Sequence, residues 1–133
     1  MSLGGPPPKK PWIWLTREML ERNAWRSLTG KSRRFLDVLM IEHMRHGGKA
    51  NGKLLAPRRQ LEALGMSAHS ISGAINEAVA LGFVDVKRGT GRRASTYALT
   101  WLQLHDGTKA TNRWQTPVGS ADVQSLERTA DVQ

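Results

Sequence analysis

"LAPRRQLEALGMSAHSISGAINEAVALGFVDVKRGTGRRASTYALTW", residues 55–101, holds two helical patterns, a very short break between them, and a strand pair. Pro57 suits the first turn of a helix, because a proline lacks one of the N–H groups that a helix start leaves unpaired. Leu61 and Leu64 are expected to face inward, and Gly65 ends this helix. Only Gly65 and Met66 then precede Ser67, the expected N-cap of "AHSISGAINEAVALG". On that next helix Ile71, Ala74, Ile75, Ala78 and Val79 share one face, and Gly82 closes it. So short a break, with glycine for backbone freedom and Met66 to tuck into the core, sets two helices at a steep angle. Beyond Gly82 the apolar period changes to two. Val84, Val86, Tyr97 and Leu99 alternate inward, and the tip between them carries Lys87, Arg88, Arg92 and Arg93 without an acid.

Upstream, "LTGKSRRFLDVLMIEHMRHGG" (28–48) is the clearest helix in the chain. Ser32 is its expected cap, Phe35, Leu36, Leu39, Met40 and Met44 recur at helical spacing, and Gly47-Gly48 stops it. "GKS" at 30–32 is not a phosphate-binding loop: that motif needs a glycine five residues before Gly30, where Trp25 stands. "NGKLL" (51–55) reads as a turn and one short strand. "WIWLTREMLERNAWRSL" (12–28) holds Trp12, Trp14 and Trp25, three of the five tryptophans. Thr16 is an expected N-cap, Glu18 suits the first turn, and Leu15, Met19 and Leu20 give an apolar side to a short helix ending near Trp25. The tryptophans are expected to anchor this element on the core.

The chain's 133 residues suggest one domain, placed at 12–104. Residues 1–11 read as a flexible basic arm, and 105–133 as a polar, mostly disordered, near-neutral tail. "ADVQ" occurs twice in that tail, too little for a repeat architecture. A short helix near Gln124–Arg128 is expected there, and deletion from Asp106 onward should leave stability unchanged. The rival reading docks Val118, Val123, Leu126 and Val132 on the domain or on a second subunit.

Twenty Lys and Arg against eleven Asp and Glu give a net charge of +9, which directs attention to polyanions: nucleic acid or an anionic membrane surface. The absence of cysteine excludes disulfides, thiolate catalysis and cysteine zinc sites. No apolar run approaches the roughly 18 residues of a membrane helix. "MSLGGPPPKKP" lacks the apolar stretch of a secretory signal, so a cytoplasmic protein is expected. Glu42, His43 and His46 in "EHMRH" cannot all converge on one metal from a single helical turn, and a surface or capping role near the helix end is expected for the histidines. No nucleophile, base and orienting group form a set. The expectation is therefore a non-enzyme with no catalytic residues, no metal, no cofactor and no small-molecule substrate.

Helix, strand, helix, tight turn, helix and hairpin is the order of a winged helix-turn-helix, a mainly α fold with a small β-hairpin wing (α+β), here with a three-helix core and an additional N-terminal helix. Residues 55–101 resemble the winged-helix DNA-binding domains of bacterial transcription regulators and of plasmid or phage replication proteins. "AWRSLTGKSRRFLDVLMIEHMRHGGKANGKL" (24–54) is similar to the front part of replication-protein-like winged helices of bacterial mobile elements. The resemblance implies double-stranded DNA as partner, a homodimer being left open, and a role as regulator or as replication or recombination accessory factor. It places base contacts on Ser67, His69, Ser70, Ser72, Gly73 and Asn76, with Asn76 able to read adenine through two hydrogen bonds. It places phosphate contacts on Lys53, Arg58, Arg59, Lys87, Arg88, Arg92 and Arg93. Where family members usually carry Arg or Lys, near 68 or 73, this chain has Ala68 and Gly73, and Glu77 adds an expected repulsion. Specificity then leans on the wing, on DNA shape or on dimer spacing. The reading from another class is a non-catalytic docking module on the same fold.

Overall fold

Threonine side chains cap two of the helices. The computed structural model describes residue 5 and residues 8–116. Thr16 Oγ1 accepts the Met19 N–H at 3.2 Å and caps α1, Arg17–Glu21. The chain then turns extended at Arg22 before α2, Asn23–Ser27, so the single short helix expected up to Trp25 is two. Only Met19 of its expected apolar side is buried; Leu15 and Leu20 are exposed. The tryptophans also divide. Trp25 packs edge-on against Phe83, with ring centroids 5.2 Å apart. Trp12 and Trp14 remain exposed, and Trp14 contributes its backbone carbonyl, which accepts from Trp101 Nε1 at 3.0 Å.

Thr29, not Ser32, caps α3 (Gly30–Arg45): its Oγ1 accepts the Ser32 N–H at 3.3 Å. A cap needs extended backbone just before the first turn, which Thr29 has (ψ 164°) and Ser32, inside the helix, does not. Ser32 is buried instead, and its hydroxyl donates to the Ala74 carbonyl at 3.1 Å. Phe35, Leu36, Val38 and Leu39 form the buried face of α3, Met40 and Met44 lying at its edge. Gly47 and Gly48, both at positive φ, end the helix as expected.

α4, Arg58–Ala63, follows Pro57 and buries Leu61; Leu64, expected inward, is 43% exposed. A six-residue helix has one inward turn, and the bend at Gly65 (φ +89°) carries Leu64 past it. Met66 takes the inward place, 3% exposed. α5, Ala68–Ala80, starts at Ser67 without the expected side-chain cap; the Ser70 hydroxyl donates to the Ser67 carbonyl at 2.9 Å. Ile71, Ala74 and Ala78 are buried against α3, with Ile75 and Val79 half-buried. Gly82 (φ +88°) then turns the chain into β1, Val84–Lys87, paired antiparallel with β2, Thr96–Leu99, in the register Val84↔Leu99 to Lys87↔Thr96. The architecture is thus α+β, five helices and one two-stranded hairpin among the described residues. The short strand expected at 51–55 amounts to one bridge, Leu54 with Tyr97.

Asn51 fastens this bridge to the rest. It is fully buried; its Oδ1 accepts the Leu99 N–H at 2.7 Å, and its Nδ2 lies within 3.0–3.2 Å of the Leu99, Leu102 and Gln103 carbonyls. Asn51→Leu fills similar space and leaves these groups unpaired. The expected loss is roughly 2–4 kcal/mol, read as a lower urea midpoint with an unchanged m-value.

The C-terminal boundary differs from the expected one. His105 N–H bonds the Asn51 carbonyl at 2.8 Å, and Asn112 N–H bonds the Thr100 carbonyl at 2.7 Å. Arg113 Nε lies 2.6 Å from Asp85 Oδ1, and its Nη2 donates to the Val79 and Val84 carbonyls. Trp114, within a short 3₁₀ turn, is 5% exposed. Residues 105–116 therefore belong to the domain. Its polar average conceals two anchors, an arginine with fixed partners and one large apolar ring. The helix expected at Gln124–Arg128 and the docking expected of Val118, Val123, Leu126 and Val132 lie outside the described residues, as does most of the expected N-terminal arm. No described helix is long and apolar enough to cross a membrane.

Candidate nucleic-acid interface

With Ile71, Ala74 and Ala78 turned to the core, the helical period leaves His69, Ser72, Gly73 and Asn76 as the opposite stripe of α5. His69, Ser72 and Gly73 are exposed and Asn76 half-buried. Among the described residues nothing lies within 4 Å of where a Cβ on Gly73 would stand, so they leave this face open to close approach. Ser67 is exposed at the helix start, while the Ser70 proton is committed to the Ser67 carbonyl, which leaves only its oxygen to accept from outside.

The hairpin tip is built by its glycines and one serine. Gly89 N–H donates to Ser95 Oγ at 3.1 Å, and Arg93 N–H returns to the Thr90 carbonyl at 3.0 Å. A Cβ on Gly89 would overlap the Arg93 carbonyl oxygen, so no other residue fits there without opening the tip. Gly91 takes φ +61° at the turn. Lys87, Arg88, Arg92 and Arg93 are all exposed. Arg88 reaches back to α5, where its Nη2 donates to Asn76 Oδ1 at 3.4 Å, joining hairpin and helix into one surface.

Lys53, beside the Leu54 bridge, and Arg58 and Arg59, at the start of α4, are exposed, and no hydrogen bond ties them to α5 or the hairpin. Among the described residues the ion pairs involve Glu18, Glu21, Glu42 and Asp85, and none uses any of these cations. Glu77, the acid beside Asn76, has a partner within the fold. Its Oε1 accepts the Thr29 N–H at 2.6 Å, at the electropositive start of α3. Sequence spacing could not have shown this, since the two residues are 48 apart.

His43 departs from its expected surface role: it is 8% exposed, its Nδ1 has no hydrogen-bond partner among the described residues, and burial lowers its pKa. A folded-state pKa below the unfolded one means that the unfolded chain binds more protons as pH falls. The neutral ring's contribution is therefore complete above the unfolded pKa of about 6.5 and is lost progressively below it. Urea midpoints are expected to drop between pH 7 and 5, and less so in His43→Phe. His46 stays exposed, 3.3 Å from Glu42.

A second concave feature shares no residue with this surface. Ile13, Leu15, Met40, Ile41, Met44 and Leu64 line an apolar groove of about 470 Å³ beside α3. Arg34 and Asp37 border it, and burial raises the Asp37 pKa. Comparison with protein-family models, with curated proteins and with solved structures finds no match.

Proposed function

We propose that this chain is a winged helix-turn-helix protein that binds double-stranded DNA, with α5 in the major groove and the β1–β2 wing on the flanking phosphates. On this reading it acts by occupying a site in the bacterial cytoplasm, as a transcriptional regulator or as a replication or recombination accessory factor. One observation carries the proposal. The open stripe of α5 and the cations of the hairpin form a continuous surface through the Arg88–Asn76 contact, and no acid among the described residues neutralises it. Unpaired cations at a hairpin tip favour a polyanion, and a helix with a side-chain-free position beside them suits a groove. The net charge of +9 points the same way. Fluorescence anisotropy with a random duplex is expected to give micromolar or tighter binding at about 50 mM salt, weakening steeply as salt rises. Absence of binding there defeats the proposal.

The second reading, a protein-docking module, is favoured by the apolar groove beside α3. Ile41→Glu separates the two, since it spoils the groove and leaves the basic surface alone. Unchanged duplex affinity in that variant is expected if DNA is the partner. A homodimer would offer two such helices to the duplex, and sedimentation with a duplex gives the stoichiometry.

A further inference from the structure

Arg88 follows Lys87 at the end of β1, and its guanidinium lies 3.4 Å from Asn76 Oδ1. A guanidinium has N–H donors and no acceptor, so the amide atom that faces it is the oxygen. The contact divides Asn76. Its carbonyl is turned to Arg88, and its NH₂ is left for an outside acceptor. Reading adenine needs both halves, the carbonyl to accept from N6 and the NH₂ to donate to N7. The carbonyl keeps a second lone pair, but the guanidinium beside it disfavours the approach of adenine's N6 donor, so the Asn76 NH₂ and the Arg88 N–H groups together present a donor-rich edge. Guanine alone presents two acceptors, N7 and O6, on its major-groove edge; adenine and cytosine each show a donor there, and thymine a methyl group.

Access and charge agree. Gly73, three residues before Asn76 on the same face, meets none of the described residues where a side chain would stand. The nearest acids in sequence are committed elsewhere, Glu77 to the Thr29 N–H and Asp85 to Arg113. We propose that Asn76 and Arg88 act as one donor unit that reads guanine in the major groove, Arg88 serving a base edge rather than a phosphate. The inference rests on the duplex-binding reading above.

Selection of full-length protein on a randomised duplex pool at about 50 mM salt, followed by sequencing, tests it. The wild-type chain is expected to enrich guanine at one position. Arg88→Ala frees the Asn76 carbonyl and is expected to move that position to adenine. Asn76→Asp removes the amide donors and is expected to abolish the preference while retaining binding. In the selected site, replacing the guanine by 7-deazaguanine removes N7 and should weaken the wild type about tenfold, with no effect on Asn76→Asp. Thermal melts establish that these surface variants fold. Retention of duplex with no guanine preference, or with a preference that Arg88→Ala leaves unchanged, overturns the donor unit alone. Arg88→Ala weakening all sequences equally makes Arg88 a phosphate contact and also overturns it. Failure to retain any duplex overturns the donor unit and the DNA-binding reading together.

Discussion

Trp114→Ala is expected to destabilise the domain by roughly 3–5 kcal/mol and to lower Tm by roughly 10–20 °C. The ring is 5% exposed, Arg22 stacks over it at 5.5 Å, and its indole nitrogen donates to Asn112 Oδ1 at 3.2 Å. Its backbone presses on Gly82, where an added Cβ would meet the Arg113 and Trp114 backbone at 3.0 Å. The turn from α5 into β1 is therefore held from outside by this segment. A chain ending at Leu104 loses the ring, the Arg113–Asp85 pair and the Arg113 bonds to Val79 and Val84 together. It should melt at least as low as the point variant. Differential scanning calorimetry of full-length, Trp114→Ala and truncated chains measures this directly. A truncated chain with the full-length Tm would return residues 105–116 to the role of a spectator tail.

Lys87, Arg92 and Arg93 replaced together by alanine should weaken duplex binding roughly 10²–10³-fold near 0.1 M salt, nearly equally for all sequences. Each phosphate left without its cation takes about 0.9 from the slope of log K against log salt, so the slope should become shallower by about 2.7. The fold should survive, because the three side chains are exposed and make no ion pair among the described residues. Anisotropy titrations at several salt concentrations supply both quantities. A parallel shift with an unchanged slope would mean that these cations do not meet phosphates.

Much of the chain's local structure was decided by neighbours in sequence. The 3.6-residue period of Phe35, Leu36 and Leu39 and of Ile71, Ala74 and Ala78 placed two helices and their inward faces, because apolar spacing and helix geometry are both local. Gly65, Gly82 and the Gly47-Gly48 pair marked helix ends, because each takes a positive φ that side-chain-bearing residues avoid. The acid-free tip at Lys87, Arg88, Arg92 and Arg93 was legible for the same reason: it is a property of one short stretch. Partnership across the chain was not legible. Ser32 and Glu77 looked like a cap and a stray charge until packing brought Ser32 to Ala74 and Glu77 to Thr29. His43 and Trp114 looked peripheral because their surroundings are polar in sequence, yet both are buried, Trp114 against Arg22 and Gly82, which are remote in the chain. The contact of Arg88 with Asn76 belongs to the same class, twelve residues apart and joined by the return of the hairpin onto the helix. Residue type and spacing set which elements form and how much charge they display. Which donors meet which acceptors depends on distances in space, and only the packed chain sets those.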